Sequence, residues 1–178
     1  MNNLPAEKRH LSGLLEAVQR CCYFLHAAQS RLPTHMMADW LEPRKKDIDV
    51  FSSLAAVNER FAKLQDTLAS AMRHAASLSG EKTDTFLRVL SFYEKVGVIP
   101  SIETWQEIRS FRNASAHDYE TDYQRIAEHF NTLNALTPGL LCAANRFNDF
   151  CGNQLGVVAF PGEFQEEFLA LSDRREPT

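Results

Sequence analysis

The 178-residue sequence predicts an all-α protein, an antiparallel bundle of about five or six helices. Three observations lead there. Apolar residues recur three or four apart over long stretches, the period of one helix face. No useful run alternates in steps of two. Seven Gly and seven Pro are few for a turn-rich β protein of this length.

The first helix is predicted at about 6–31, where Leu11, Leu14, Val18, Cys21 or Cys22, and Leu25 share a face. Pro33 closes it, and 33–45 reads as a linker with a short turn around Trp40. The second helix has the clearest stripe: Val50, Phe51, Leu54, Val57, Phe61, Leu64, Leu68, Met72 and Ala75. Asp47 or Asp49 can cap its start, and Gly80 stands where a helix-ending glycine is expected. So long a one-sided helix must pack along its length.

A third helix over about 84–96 carries Phe86, Leu90, Tyr93 and Val96, and ends before Gly97 and Pro100. Ser101 caps a fourth, with Ile102, Trp105, Ile108 and Phe111 inward. A fifth starts at Thr121 through a capping box with Gln124; Tyr123, Ile126, Phe130 and Leu133 line its inner face. Pro138-Gly139 is expected to break or bend it, and a further helical piece spans about 140–152. The tail from Gly156 suits a short strand or a last helical turn. The short connection between the fourth and fifth helices makes them antiparallel neighbours.

Composition narrows the function classes. The net charge is −4, which argues against binding nucleic acid through diffuse positive charge. No apolar run is long enough to cross a bilayer, and the basic N-terminus lacks the apolar stretch of a secretory signal, so a cytoplasmic location is expected. The cysteines, 21, 22, 142 and 151, form no CxxC pair and read as buried thiols. Cys22 and His26 supply at most half a zinc site, and no second ligand pair accompanies them. There is no Gly-rich phosphate loop, HExxH or GxSxG, and no cofactor is expected.

The chemistry concentrates in SFRNASAHDYETD, residues 110–122. Asn113 and His117 are four apart and share a face while the helix lasts. Arg112 needs its long stem to reach the same space. His117, at or just past the helix C-terminus, is favoured in its protonated form by the helix dipole. Metal-free RNA cleavage suits this set: an imidazole moves the 2′-OH or leaving-group proton, and a guanidinium holds the phosphorane oxygens. DNA lacks the 2′-OH and would be spared. An Arg five before a His is weak evidence alone; the flanking Asn113 and Tyr119 make the pattern specific. Arg109 can widen the cationic face or be a solvated residue. Glu107 and Asp118 can orient His117 or form surface ion pairs. Tyr123 fits the apolar stripe better than a second modification site. His10, His26, His35, His74 and His129 read as surface or boundary residues.

The run RNASAHDY, carrying Arg112, Asn113, His117 and Tyr119, resembles the motif of the HEPN family, and within it the HepT-like toxins. The preceding FYEKVGVIPSIETWQEIRSFRN and the following YETDYQRI are also similar to that family; the likeness covers about 46–136. It implies a metal-independent endoribonuclease with Arg112 and His117 catalytic and Asn113 positioning a catalytic neighbour or closing the helix end; Arg109 and Asp118 are supporting candidates by position, not by the resemblance. It also implies a homodimer with paired motifs in one cleft. The implied partner is a nucleotidyltransferase antitoxin of the MNT type, which transfers AMP to the motif tyrosine, here Tyr119. An adenylyl phosphodiester there would occupy the charge that RNA phosphate uses. The alternative is a non-catalytic HEPN scaffold that binds a nucleotidyltransferase or its nucleotide. Two features depart from the pattern. Ala-Ser-Ala separates Asn113 from His117, smaller than the usual aliphatics, and residues 138–178 lie beyond the bundle of 1–137 as an extension expected to pack on it.

Overall fold

The computed structural model describes residues 4–114 and 121–173, with side chains at all of these except 113, 114, 172 and 173. Seven α-helices and no strand occur among the described residues. Helix α1 spans Leu4–Gln29, α2 Ala38–Leu41, α3 Ile48–Leu78, α4 Phe86–Lys95, α5 Ile102–Ala114, α6 Tyr123–Phe150 and α7 Gln165–Asp173. A single 3₁₀ turn, Glu42–Arg44, follows α2, and a wider turn, Cys151–Leu155, closes α6.

The frame is α1 laid along α3, the most extensive helix pair. Leu11, Leu15, Val18, Cys22 and Leu25 of α1 meet Leu54, Val57, Phe61, Leu64, Leu68 and Met72 of α3 in one buried core. Helix α6 packs across α1, α2 and α3, while α4 and α5 lean on α3 and on each other. Tyr93 anchors α4: its ring meets Phe147 and Phe150 edge-on, and its hydroxyl donates to the Met72 carbonyl at 2.9 Å.

Local signals set most boundaries. The Asp47 carboxylate accepts from the Asp49 and Val50 amides at 3.1 Å, so Asp47 caps α3. Gly80 and Gly97 take φ of 79° and 76°, the left-handed turn that stops α3 and α4 without a Cβ clash. The Glu81 amide then donates to the Ala76 carbonyl, and that of Val98 to Tyr93. Val96, assigned above to the inner face of its helix, is 43% exposed because it caps α4 at its end. Ser101 Oγ accepts from the Thr104 amide at 3.0 Å and caps α5; Glu94 Oε1 takes the Ile102 amide, tying α5 to α4.

Three expectations are corrected. Helix α6 is capped by Asp122, not by a Thr121–Gln124 box: Asp122 Oδ1 accepts from the Gln124 and Arg125 amides. A carboxylate at a helix N-terminus is an ionised acceptor aligned with the dipole, and it wins over the hydroxyl one residue earlier. The Gln124 side chain donates to Glu128 instead. Of the break or bend expected at Pro138-Gly139, the break does not occur, since α6 runs through it from Tyr123 to Phe150. Burial of Leu133 before it and of Leu140, Leu141 and Ala144 after it keeps both halves helical. Thr137 adds a bond to the Leu133 carbonyl and receives one from Gln29 of α1. Position 137, taken above as the end of the bundle, therefore lies inside a helix. The tail forms helix α7, which packs on α1 and α6 and buries Phe168 and Leu171. No helix is long and apolar enough to cross a membrane among the described residues.

Candidate site between α3 and α5

Two helix faces flank an open groove of about 380 Å³. On α3, residues 65, 66, 69, 70 and 73 fall on one strip, because steps of three and four keep a helix face in register. On α5, Trp105, Arg109 and Arg112 do the same, and Phe86 from the start of α4 completes the wall. The groove has an aromatic side, with the Phe86 and Trp105 rings 6.3 Å apart, and a cationic rim of Arg73, Arg109 and Arg112. The Arg73 guanidinium lies over the Phe86 ring at 5.6 Å.

Arg112 occupies the last turn of α5. Its guanidinium bonds the carboxylate of Asp66 on α3, with the side chains 26% and 61% exposed. Such a half-solvated pair fixes direction more than it stabilises. Next to it, Phe111 stacks on His129 of α6, centroids 5.0 Å apart and planes 15° from parallel. His129 also bonds Asn58 of α3 at 3.2 Å. These contacts hold the end of α5 between α3 and α6. Apart from that contact, α5 packs chiefly on α3 and α4 rather than along α6 as a hairpin partner.

Gln65, which lines the groove, is 2% exposed. Neither its Oε1 nor its Nε2 has a hydrogen-bond partner among the described residues. A buried amide left this way costs about 1–3 kcal/mol for each unmade bond, so its presence calls for an explanation.

Arg109 and Arg112 thus come together on one rim, Arg109 exposed and Arg112 half-buried. His117, Asp118, Tyr119 and the Asn113 side chain lie outside the described residues. Glu107 is exposed on α5, and Tyr123 packs against the core at the start of α6. Cys22 is fully buried, all four cysteines are free thiols, and no cluster of three or more His, Cys, Asp or Glu suited to a metal occurs among the described residues.

Sequence reasoning missed Gln65, Asp66 and Arg73. Gln65 did leave a signal: Phe61, Gln65, Leu68 and Met72 run at steps of four, three and four, so a polar residue stands in core register. Asp66 left none, since its partner is 46 residues away. Comparison with protein-family models, with curated proteins and with solved structures finds no match to this chain.

Proposed function

We propose that the protein is a metal-independent endoribonuclease toxin of the HEPN type, with Arg112 and His117 as its catalytic pair. The observation that carries this reading is the run RN-x-x-x-H-x-Y, whose arginine stands on a groove rim shared with Arg109 and Arg73. Among the described residues the rim carries three guanidiniums and one carboxylate, a locally positive set within a chain of net charge −4. That suits a protein that meets RNA at one place.

In the reaction, His117 takes the proton of the 2′-OH as that oxygen attacks the adjacent phosphorus. Arg112 leaves Asp66 to hold the non-bridging oxygens as charge gathers on them. The P–O5′ bond breaks, the 5′-oxygen is protonated by the imidazolium, and a 2′,3′-cyclic phosphate remains. A homodimer would pair two such sites, and an MNT-type nucleotidyltransferase would silence each by placing AMP on Tyr119.

The test is purified protein and His117→Ala on RNA in the presence of a chelator. Wild type is expected to leave 2′,3′-cyclic phosphate ends and His117→Ala to leave RNA intact; equal cutting by both, or none by wild type, overturns the reading. Mass spectrometry after co-expression with an MNT-type nucleotidyltransferase is expected to find AMP on Tyr119, and AMP elsewhere removes that assignment.

A second reading draws on the Arg112–Asp66 bond. A guanidinium held by a carboxylate suits a structural residue, as in a non-catalytic HEPN scaffold that binds a nucleotidyltransferase or its nucleotide. Protein that binds such a partner but never cuts RNA would select it.

A further inference from the structure

The groove between α3 and α5 offers charge but no open ring or amide. We propose that it is the track for the RNA backbone beside the cut, with Arg109 and Arg73 holding the phosphates next to the one at Arg112. For the identity of the strand, this rests on the RNA-directed reading above. It adds Arg73 and Arg109 as substrate-binding residues and makes the groove indifferent to base.

The guanidiniums line the length of the groove. At one end Arg112 of α5 bonds Asp66 of α3. At the other end the Arg73 guanidinium lies over the Phe86 ring at 5.6 Å, and that ring is 6.3 Å from Trp105. Residues 66 and 73 are seven apart on α3, and 105 and 112 are seven apart on α5. The two helices therefore run antiparallel along the groove for two turns, about 10 Å. Arg109 stands between the ends, one turn before Arg112. At about 3.4 Å per nucleotide of a stacked strand, that length spans roughly two to three backbone steps.

Charge and exposure agree with a backbone track. Asp66 is the one carboxylate lining the groove among the described residues, and Arg112 already engages it. The exposed acids of α5, Glu103 and Glu107, are each two residues from Trp105, which turns them about 160° away from its side of the helix. Arg73 and Arg109 are exposed, so a phosphate reaches them without a change in the fold. A guanidinium offers several donors to phosphate oxygens at once. The walls are closed to a base: Gln65 is 2% and Trp105 3% exposed, and Arg73 covers Phe86. Bases therefore face solvent here, and phosphate contacts position the strand without reading it. Arg112 belongs both to this row and to the motif, so the track delivers the strand to the reacting bond. A free polyphosphate carries the same row of charges without sugars or bases.

Binding is measured on the full chain carrying His117→Ala, so that RNA stays whole, with uridine and adenosine pentamers as probes. Three phosphate contacts should cost the parent roughly twentyfold in affinity between 50 and 200 mM salt, and two contacts roughly sevenfold. Arg73→Ala and Arg109→Ala are each expected to show the smaller loss, and Arg73→Lys, which keeps the charge, the larger. The two pentamers are expected to bind within about threefold of each other. In protein with His117 intact, Arg73→Ala is expected to raise KM and leave kcat, because Arg73 stands at the far end of the groove from Arg112. An unchanged salt response in Arg73→Ala, or Arg73→Lys behaving as Arg73→Ala does, overturns the proposal. So does a preference of more than about tenfold for one pentamer, which would mean that a base is read. Inorganic tripolyphosphate binding as tightly as the pentamers assigns the row to free polyphosphate and overturns it as well. Cutting by wild type that is indifferent to Arg73 and Arg109 removes this proposal and leaves the ribonuclease reading standing. Salt-dependent RNA binding through the arginines of a protein that never cuts does the reverse.

Discussion

Replacing Gln65 with Met should make the protein more stable. The side chain is 2% exposed in the middle of α3, and neither polar atom has a partner among the described residues. Folding strips water from an acceptor and a donor without returning a bond. At about 1–3 kcal/mol per unmet group, the penalty for the two is about 2–6 kcal/mol before any relaxation of the neighbours. Methionine has the same unbranched reach, no polar atom to desolvate and a flexible thioether that adapts to a core site. We expect a gain of about 2 kcal/mol. For a domain of this length that raises the melting temperature by roughly 4–8 °C. Urea unfolding monitored by far-UV circular dichroism gives the free energy, and a thermal melt checks it. Gln65→Ala separates the terms: it too removes the unpaired groups but enlarges the groove, so it should fall well below Met. A loss of more than about 1 kcal/mol in Gln65→Met would refute the reasoning, since it would mean that the amide makes bonds that favour the fold.

Other expectations test the surroundings. Asp66→Asn breaks a half-exposed ion pair and should cost no more than about 1 kcal/mol in urea unfolding. By removing a negative charge from the rim it should also strengthen RNA binding, read as a lower Kd at low salt. Alkali should destabilise the protein through its buried acids. Burial pushes the Cys151 thiol up to about 12. Burial, and then the nearby Cys151, pushes the Tyr93 phenol up from its ordinary 10.0. Because each folded-state pKa lies above the unfolded value, the unfolded chain releases its proton first. Their contribution is whole below about pH 9 and lost as pH rises, by about 1.4 kcal/mol per pH unit for each group that has begun to titrate in the unfolded state. Cys151→Ala should flatten the fall between pH 9 and 10 in a urea series. Pro138→Ala should stabilise the protein by about 2 kcal/mol, because it restores an amide inside α6 and relieves the ring's clash with the preceding turn. An unchanged denaturation midpoint would show that the packing around Thr137 already offsets the proline.

The helices were legible because their causes are local. The stripe from Val50 to Ala75, the cap at Asp47 and the glycine at 80 lie within a few turns of what they govern, and α3 forms over Ile48–Leu78 as those residues require. Where local rules misled, burial or charge overrode them: Pro138 stays helical because both its flanks are in the core, and Asp122 displaces Thr121 as the cap. The motif Arg112, Asn113, His117 and Tyr119 is likewise a property of the sequence alone. The groove is not. Gln65 and Trp105 are 40 residues apart, and nothing in either segment specifies that α5 will lie beside α3. Only the packing of α4 and α5 onto α3 brings Arg73, Arg109, Arg112, Phe86 and Trp105 around a single groove, because that placement depends on which apolar faces fit together across the whole chain.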